Sequence, residues 1–129
     1  MSGEQADLAA DTCVPCRGGV PPLDEASVAR LAAAVGPEWR VADGRRLERE
    51  YRFSSFRKAM AFANQVAAIA EEQKHHPDLG VGWGYVRVTL TTLAIDGMHR
   101  NVFILAARIN GLSAPGASGP TPPSTPGGG

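Results

Sequence analysis

The chain has 129 residues, 15 of them Gly and 10 Pro, and its 13 basic and 13 acidic side chains cancel. That length allows one domain, not two. Zero net charge excludes a general polyanion binder, which needs an excess of Lys and Arg, so no nucleic-acid partner is expected. No apolar run approaches the roughly 18 residues of a membrane span, so no membrane partner is expected either.

The first residues, Met1 to Asp11, carry acidic side chains and no basic run. They do not read as a secretory signal, and the expected address is the cytoplasm. Residues 1–22 hold few large apolar side chains and read as a flexible N-terminal arm. Cys13 and Cys16 are too few for a disulfide framework. Their Cys-x-x-Cys spacing is that of half a zinc site or a redox pair. A complete zinc site needs two more ligands, and adjacent His75 and His76 lack the usual ligand spacing. The expectation is no metal.

Periodicity begins at Leu23-Asp24. Asp24 is a good N-cap, and Leu23 can staple onto Val28. Val28, Leu31, Ala32 and Val35 then share one helical face, which Gly36-Pro37 ends. Trp39 to Ala42 and Leu47 to Phe53 read as strands joined at Asp43-Gly44, a hairpin signal. Ser54 or Ser55 caps a longer helix reaching about Lys74. Ala59, Phe62, Val66 and Ile69 form its buried stripe, with Ala63 and Ala70 beside it. His75-His76-Pro77 ends that helix, because the residue before Pro leaves the α region.

Leu79 to Val81 is a short strand candidate, and Gly82-Trp83-Gly84 a turn. Tyr85 to Thr92 alternates clearly, with Val86, Val88 and Leu90 on one side. Asp96-Gly97 is a further turn. A last helix runs from about His99 to Ile109, with Val102, Leu105, Ala106 and Ile109 on one face, and Asn110-Gly111 stops it. Residues 111–129 hold 6 Gly and 5 Pro and read as a disordered tail. The foldable part is residues 23–110, about 88 residues, a size at which association often adds stability. The order α-β-β-α-β-β-α implies an α+β fold of two layers, an antiparallel four-stranded sheet with helices on one face.

Candidate chemistry gathers at His75-His76-Pro77-Asp78. Imidazoles titrate near neutral pH, so a pair can both give and take protons on one substrate. The plain alternative is a surface helix end, where His suits the negative end of the dipole. Trp83 and Tyr85 flank a Gly-rich turn and can line a pocket for a flat heterocycle, or simply pack in a core. His99 is a helix cap or an exposed ring. Arg40, Arg45, Arg46, Arg49, Arg52, Arg57 and Lys58, partly offset by Asp43, Glu48 and Glu50, read as a solvated face.

Four runs resemble the pterin-4a-carbinolamine dehydratase family, in the bacterial form associated with phenylalanine hydroxylase. They are Lys74-His75-His76-Pro77-Asp78-Leu79, Gly82 to Leu90, Gly97-Met98-His99-Arg100-Asn101, and Phe103-Ile104-Leu105-Ala106-Ala107. The Cys-x-x-Cys arm is also similar to the start of that form, so the resemblance covers about residues 13–110. It implies the same α-β-β-α-β-β-α fold in a homodimer or homotetramer. It also implies a lyase that dehydrates 4a-hydroxytetrahydrobiopterin to quinonoid dihydropterin. That step belongs to tetrahydrobiopterin recycling, with the pterin as substrate and no cofactor, and an aromatic amino-acid hydroxylase is the implied partner.

The resemblance further implies that His75 and His76 are catalytic, with Glu71 on the pocket rim and Pro77 and Trp83 beside the substrate. Two positions depart from the family pattern. Leu93 stands where the family has a third His, and leucine neither donates nor accepts a hydrogen bond. Val102 stands where the family has an Asp in the last helix. Two expectations follow: a dehydratase weakened by Leu93 and Val102, or a non-catalytic relative serving as a binding or assembly protein.

Overall fold

The computed structural model describes residues 2–13, 21–91 and 97–112. Cys16, Leu93, the Asp96 half of one turn, and the tail after Leu112 lie outside the described residues. The elements run α1 (Ser2–Ala10), α2 (Glu25–Val35), β1 (Arg40–Ala42), β2 (Arg46–Arg52), α3 (Phe56–Gln73), β3 (Asp78–Gly82), β4 (Tyr85–Thr91) and α4 (Arg100–Asn110).

Local chemistry explains the boundaries. The Asp24 carboxylate accepts the Ser27 amide at 2.8 Å and caps α2. The Ser27 hydroxyl and then the Ser27 amide hold the Asp24 carboxyl below its ordinary range. Ser55 caps α3 by accepting the Lys58 amide at 3.2 Å. Between β1 and β2, Asp43 and Gly44 both take positive φ, 57° and 66°. Two left-handed residues in succession match the right-handed twist of a hairpin.

The four strands form one antiparallel sheet in the order β1-β2-β4-β3. Leu47 pairs with Leu90, Arg49 with Val88 and Tyr51 with Val86. The buried members of these pairs face α3 and α4, giving the two-layer α+β arrangement. The opposite side of the sheet is polar. Arg40 pairs with Glu48, Arg46 with Asp43 and Glu48, and Arg52 and Arg87 with Glu50. Of the basic cluster, Arg40, Arg46 and Arg52 lie on this solvated face, whereas Arg49 does not. Arg49 turns inward, its guanidinium 4.3 Å from the centre of the Tyr51 ring, and donates to Asn110 Oδ1 at 3.0 Å. Trp39 Nε1 donates to the same oxygen at 2.8 Å.

The N-terminal segment differs from a flexible arm. Residues 2–10 form a helix, and Leu8 is completely buried. Helix α1 packs against α4 and α2. This explains why α4 is buried beyond the single face Val102, Leu105, Ala106 and Ile109: Asn101, Phe103, Ile104 and Ala107 are buried too. A helix apolar on both sides needs cover on both sides. The sheet layer supplies one cover and α1 helps supply the other.

Candidate active site

Helix α3 ends at Lys74, which takes a left-handed conformation with φ 56°. The chain reverses there, and the His75 amide donates back to the Ala70 carbonyl at 3.1 Å. Pro77 then leads straight into β3. The adjacent imidazoles have different partners. His75 Nε2 lies 2.9 Å from the carbonyl oxygen of Thr91, at the end of β4. His76 Nε2 lies 2.9 Å from Glu71 Oε2, one turn back on α3, and both of those side chains are exposed.

These contacts fix the tautomers of the neutral rings. A carbonyl oxygen only accepts, so His75 Nε2 carries the hydrogen and Nδ1 the lone pair. His75 Nδ1 is buried and has no hydrogen-bond partner among the described residues. A buried polar atom left without a partner costs about 1–3 kcal/mol. Such an atom calls for an explanation, and a proton-transfer role is one.

His99 sits at the N-cap of α4. Its Nδ1 accepts the Asn101 amide at 2.9 Å, which an Asp or Thr oxygen would do in most helices. Partial burial and the neighbouring His75 both disfavour its protonated form, so its pKa is lowered. The sequence offered cap or exposed ring for this residue; it is a cap, and half-buried.

The N-terminal segment ties these two helix ends together. The Cys13 amide donates to Gln73 Oε1 at 2.8 Å, and Cys13 Sγ lies 3.7 Å from the Asn101 carbonyl oxygen. Asp11 binds Arg100 at 3.1 Å, and its carbonyl accepts from Arg108. The Thr12 amide and then Arg100 hold the Asp11 carboxyl below its ordinary range. On the other flank, the Leu23 amide donates to the Met98 carbonyl at 2.9 Å. Gly97 allows this approach: its φ is 139°, and a Cβ there would stand 2.6 Å from Pro22. Gln73 and Asn101 are the two buried polar residues of the described core. The role of Gln73 was not legible, because its side-chain oxygen is satisfied by a segment remote in sequence.

Of the expected site residues, His75, His76, Glu71 and Pro77 lie together at the α3–β3 junction. Trp83 does not join them. It is 70% exposed at the β3–β4 turn, the opposite end of the hairpin from Thr91. Six strand steps from Tyr85 to Thr91 amount to about 20 Å. Among the described residues no cluster of three His, Cys, Asp or Glu can hold a metal ion. Among them, no helix is long and apolar enough to cross a membrane.

Residues 21–112 match the family model for pterin 4 alpha carbinolamine dehydratase. A protein from Rubrobacter xylanophilus named as a pterin-4-alpha-carbinolamine dehydratase is 46% identical over 107 residues, covering 83% of this chain and 99% of its own. A protein of the same name from Methylococcus capsulatus is 42% identical over 112 residues, covering 86% of this chain and 97% of its own. The crystal structure of a transcriptional coactivator/pterin dehydratase from Brucella melitensis superposes with a TM-score of 0.64 at 30% identity. That match covers 70% of this chain and 96% of the other.

Proposed function

This chain belongs to the pterin-4a-carbinolamine dehydratase family, and from that premise we propose that it is a hydro-lyase acting on 4a-hydroxytetrahydropterin. The reaction removes water. The C4a–O bond breaks, the leaving hydroxyl takes a proton, and a ring N–H gives one up as the C=N bond of the quinonoid product forms. One group must supply a proton and another must accept one. No electrons pass to an external acceptor, so the chemistry calls for no redox cofactor; the pterin is the substrate.

The observation that carries the assignment is the His75–Thr91 hydrogen bond. It leaves the Nδ1 lone pair of the neutral ring as the base for the ring N–H. His76, exposed and hydrogen-bonded through Nε2 to Glu71, is the acid for the leaving hydroxyl in its doubly protonated form, giving up the proton on Nδ1. The cycle closes when His75 gives up the proton it has gained and His76 regains one after the product leaves. Pro77 fixes the backbone after the pair. Trp83 would contact the pterin only if the substrate or a second copy reached the far end of the hairpin.

Strands β1 and β3 end the sheet with open edges, and Phe56, Leu79 and Trp83 are exposed apolar side chains. These features support a homodimer or homotetramer. A cytoplasmic setting beside an aromatic amino-acid hydroxylase, which generates the carbinolamine, suits the same reading.

Stopped-flow measurement of 4a-hydroxytetrahydropterin breakdown tests it. The native chain is expected to exceed the buffer rate, and Leu93→His to exceed the native chain. If neither exceeds buffer, the chain is a non-catalytic relative.

A further inference from the structure

We propose that His99 is a third catalytic histidine, which contacts the pterin and donates a hydrogen bond from Nε2 to the oxygen that leaves C4a. This rests on the dehydratase reading above and assigns a residue to it.

Three observations converge on His99. The first is its tautomer. Nδ1 accepts the Asn101 amide at 2.9 Å, so in the neutral ring the hydrogen is on Nε2. Protonating Nδ1 would set two N–H groups against each other, so the cap itself favours the neutral donor. Nε2 lies across the ring, away from the helix terminus, and nothing among the described residues accepts from it.

The second observation is location. Cys13 binds Gln73, two residues before His75, and also reaches the carbonyl of Asn101, two residues after His99. The C-terminal end of α3 and the N-terminal end of α4 are therefore neighbours. Electrostatic coupling between His99 and His75 agrees with this. The third is complementarity. His75 has a buried nitrogen lone pair without a donor, and His99 has a donor without an acceptor. A carbinolamine carries both missing partners on adjacent atoms, a ring N–H and a hydroxyl.

The charged groups around His99 are His75 and the Arg100–Asp11 pair. The Arg100–Asp11 pair satisfies its own charges. Donation to an oxygen that gains negative charge as its bond breaks is stronger in the transition state than in the ground state. Losing one such donor typically costs about 10²–10³-fold in kcat.

The discriminating variant is His99→Thr. Thr is a good N-cap, so the helix keeps its cap while the imidazole donor is lost. We expect His99→Thr to melt with the native chain but to turn over about 10²-fold more slowly, mainly in kcat. His99→Ala should lose both melting temperature and turnover. If His99→Thr turns over within about twofold of the native chain, the ring is only a cap and the inference fails.

A second readout does not depend on turnover. The ring resonances of His99 are followed by NMR as 7,8-dihydrobiopterin, a pterin that cannot be dehydrated, is added. A shift of the His99 ring signal, assigned as the one that His99→Thr lacks, supports contact. No shift overturns the contact, whatever the native turnover. A native chain that shifts but never exceeds buffer would overturn the dehydratase reading and leave a pterin-binding His99.

Discussion

The backbone amide of Cys13 donates to the side-chain oxygen of Gln73 at 2.8 Å, across 60 positions of sequence. Gln73 is 7% exposed, at the last turn of α3, two residues before His75. The N-terminal segment is thereby fastened to the helix that leads into the His75-His76 pair. Replacing Gln73 with Leu keeps the bulk and removes the acceptor. A buried N–H left alone costs about 1–3 kcal/mol. Urea unfolding of Gln73→Leu should show a loss of that size, and an unchanged midpoint would mean the tie is not formed in solution.

Leu8 makes the same point through packing. It is completely buried in the core. Leu8→Ala is expected to destabilise the protein by about 2–5 kcal/mol, the range for a buried leucine truncated to alanine. A flexible segment would lose nothing. Guanidinium unfolding followed by Trp39 and Trp83 fluorescence distinguishes the two.

Much of this architecture was legible in the sequence because local signals and burial agreed. Asp24 and Asp43-Gly44 each had one plain use and have it, and of the two cap candidates Ser54 and Ser55 it is Ser55 that caps α3. The stripe Ala59, Phe62, Val66 fixed which side of α3 meets the sheet. Helix α1 was missed because its own composition is weakly apolar. The clue lay elsewhere, in Phe103 and Ile104, which stand on the far side of α4 and need cover. Arg49 looked like one more surface cation. Its alternation with Leu47 and Tyr51 places it on the inner face, where the Asn110 oxygen and two aromatic rings make its partial burial tolerable. Around the site, His75-His76-Pro77 was readable as a helix end. The placement of Trp83 was not, because closeness in sequence does not survive a hairpin.

Acidity should destabilise the fold in two separate ranges. Asp11 and Asp24 have carboxyls held below their ordinary value of 3.8. The unfolded chain then binds protons more readily than the folded one, so their stabilisation is present above about pH 4 and is lost as pH falls through the folded values. His99 is lowered from 6.5, so the unfolded chain also takes up its proton first. That contribution is complete above about pH 7 and is lost as pH falls below the unfolded value. Melting temperature measured against pH should show both declines. His99→Thr should remove its share of the upper decline and leave the lower one. A melting temperature that rises between about pH 7 and pH 5 would contradict this.

The central claim is that His75 takes the ring proton of the carbinolamine. Its most direct test is the rate of 4a-hydroxytetrahydropterin breakdown by His75→Ala against the native chain, at one pH and at saturating substrate, with circular dichroism confirming equal folding. Removal of a general base typically costs about 10²–10⁴-fold, and a loss within that range is predicted. A His75→Ala protein that folds normally and works within about twofold of the native rate would contradict the account.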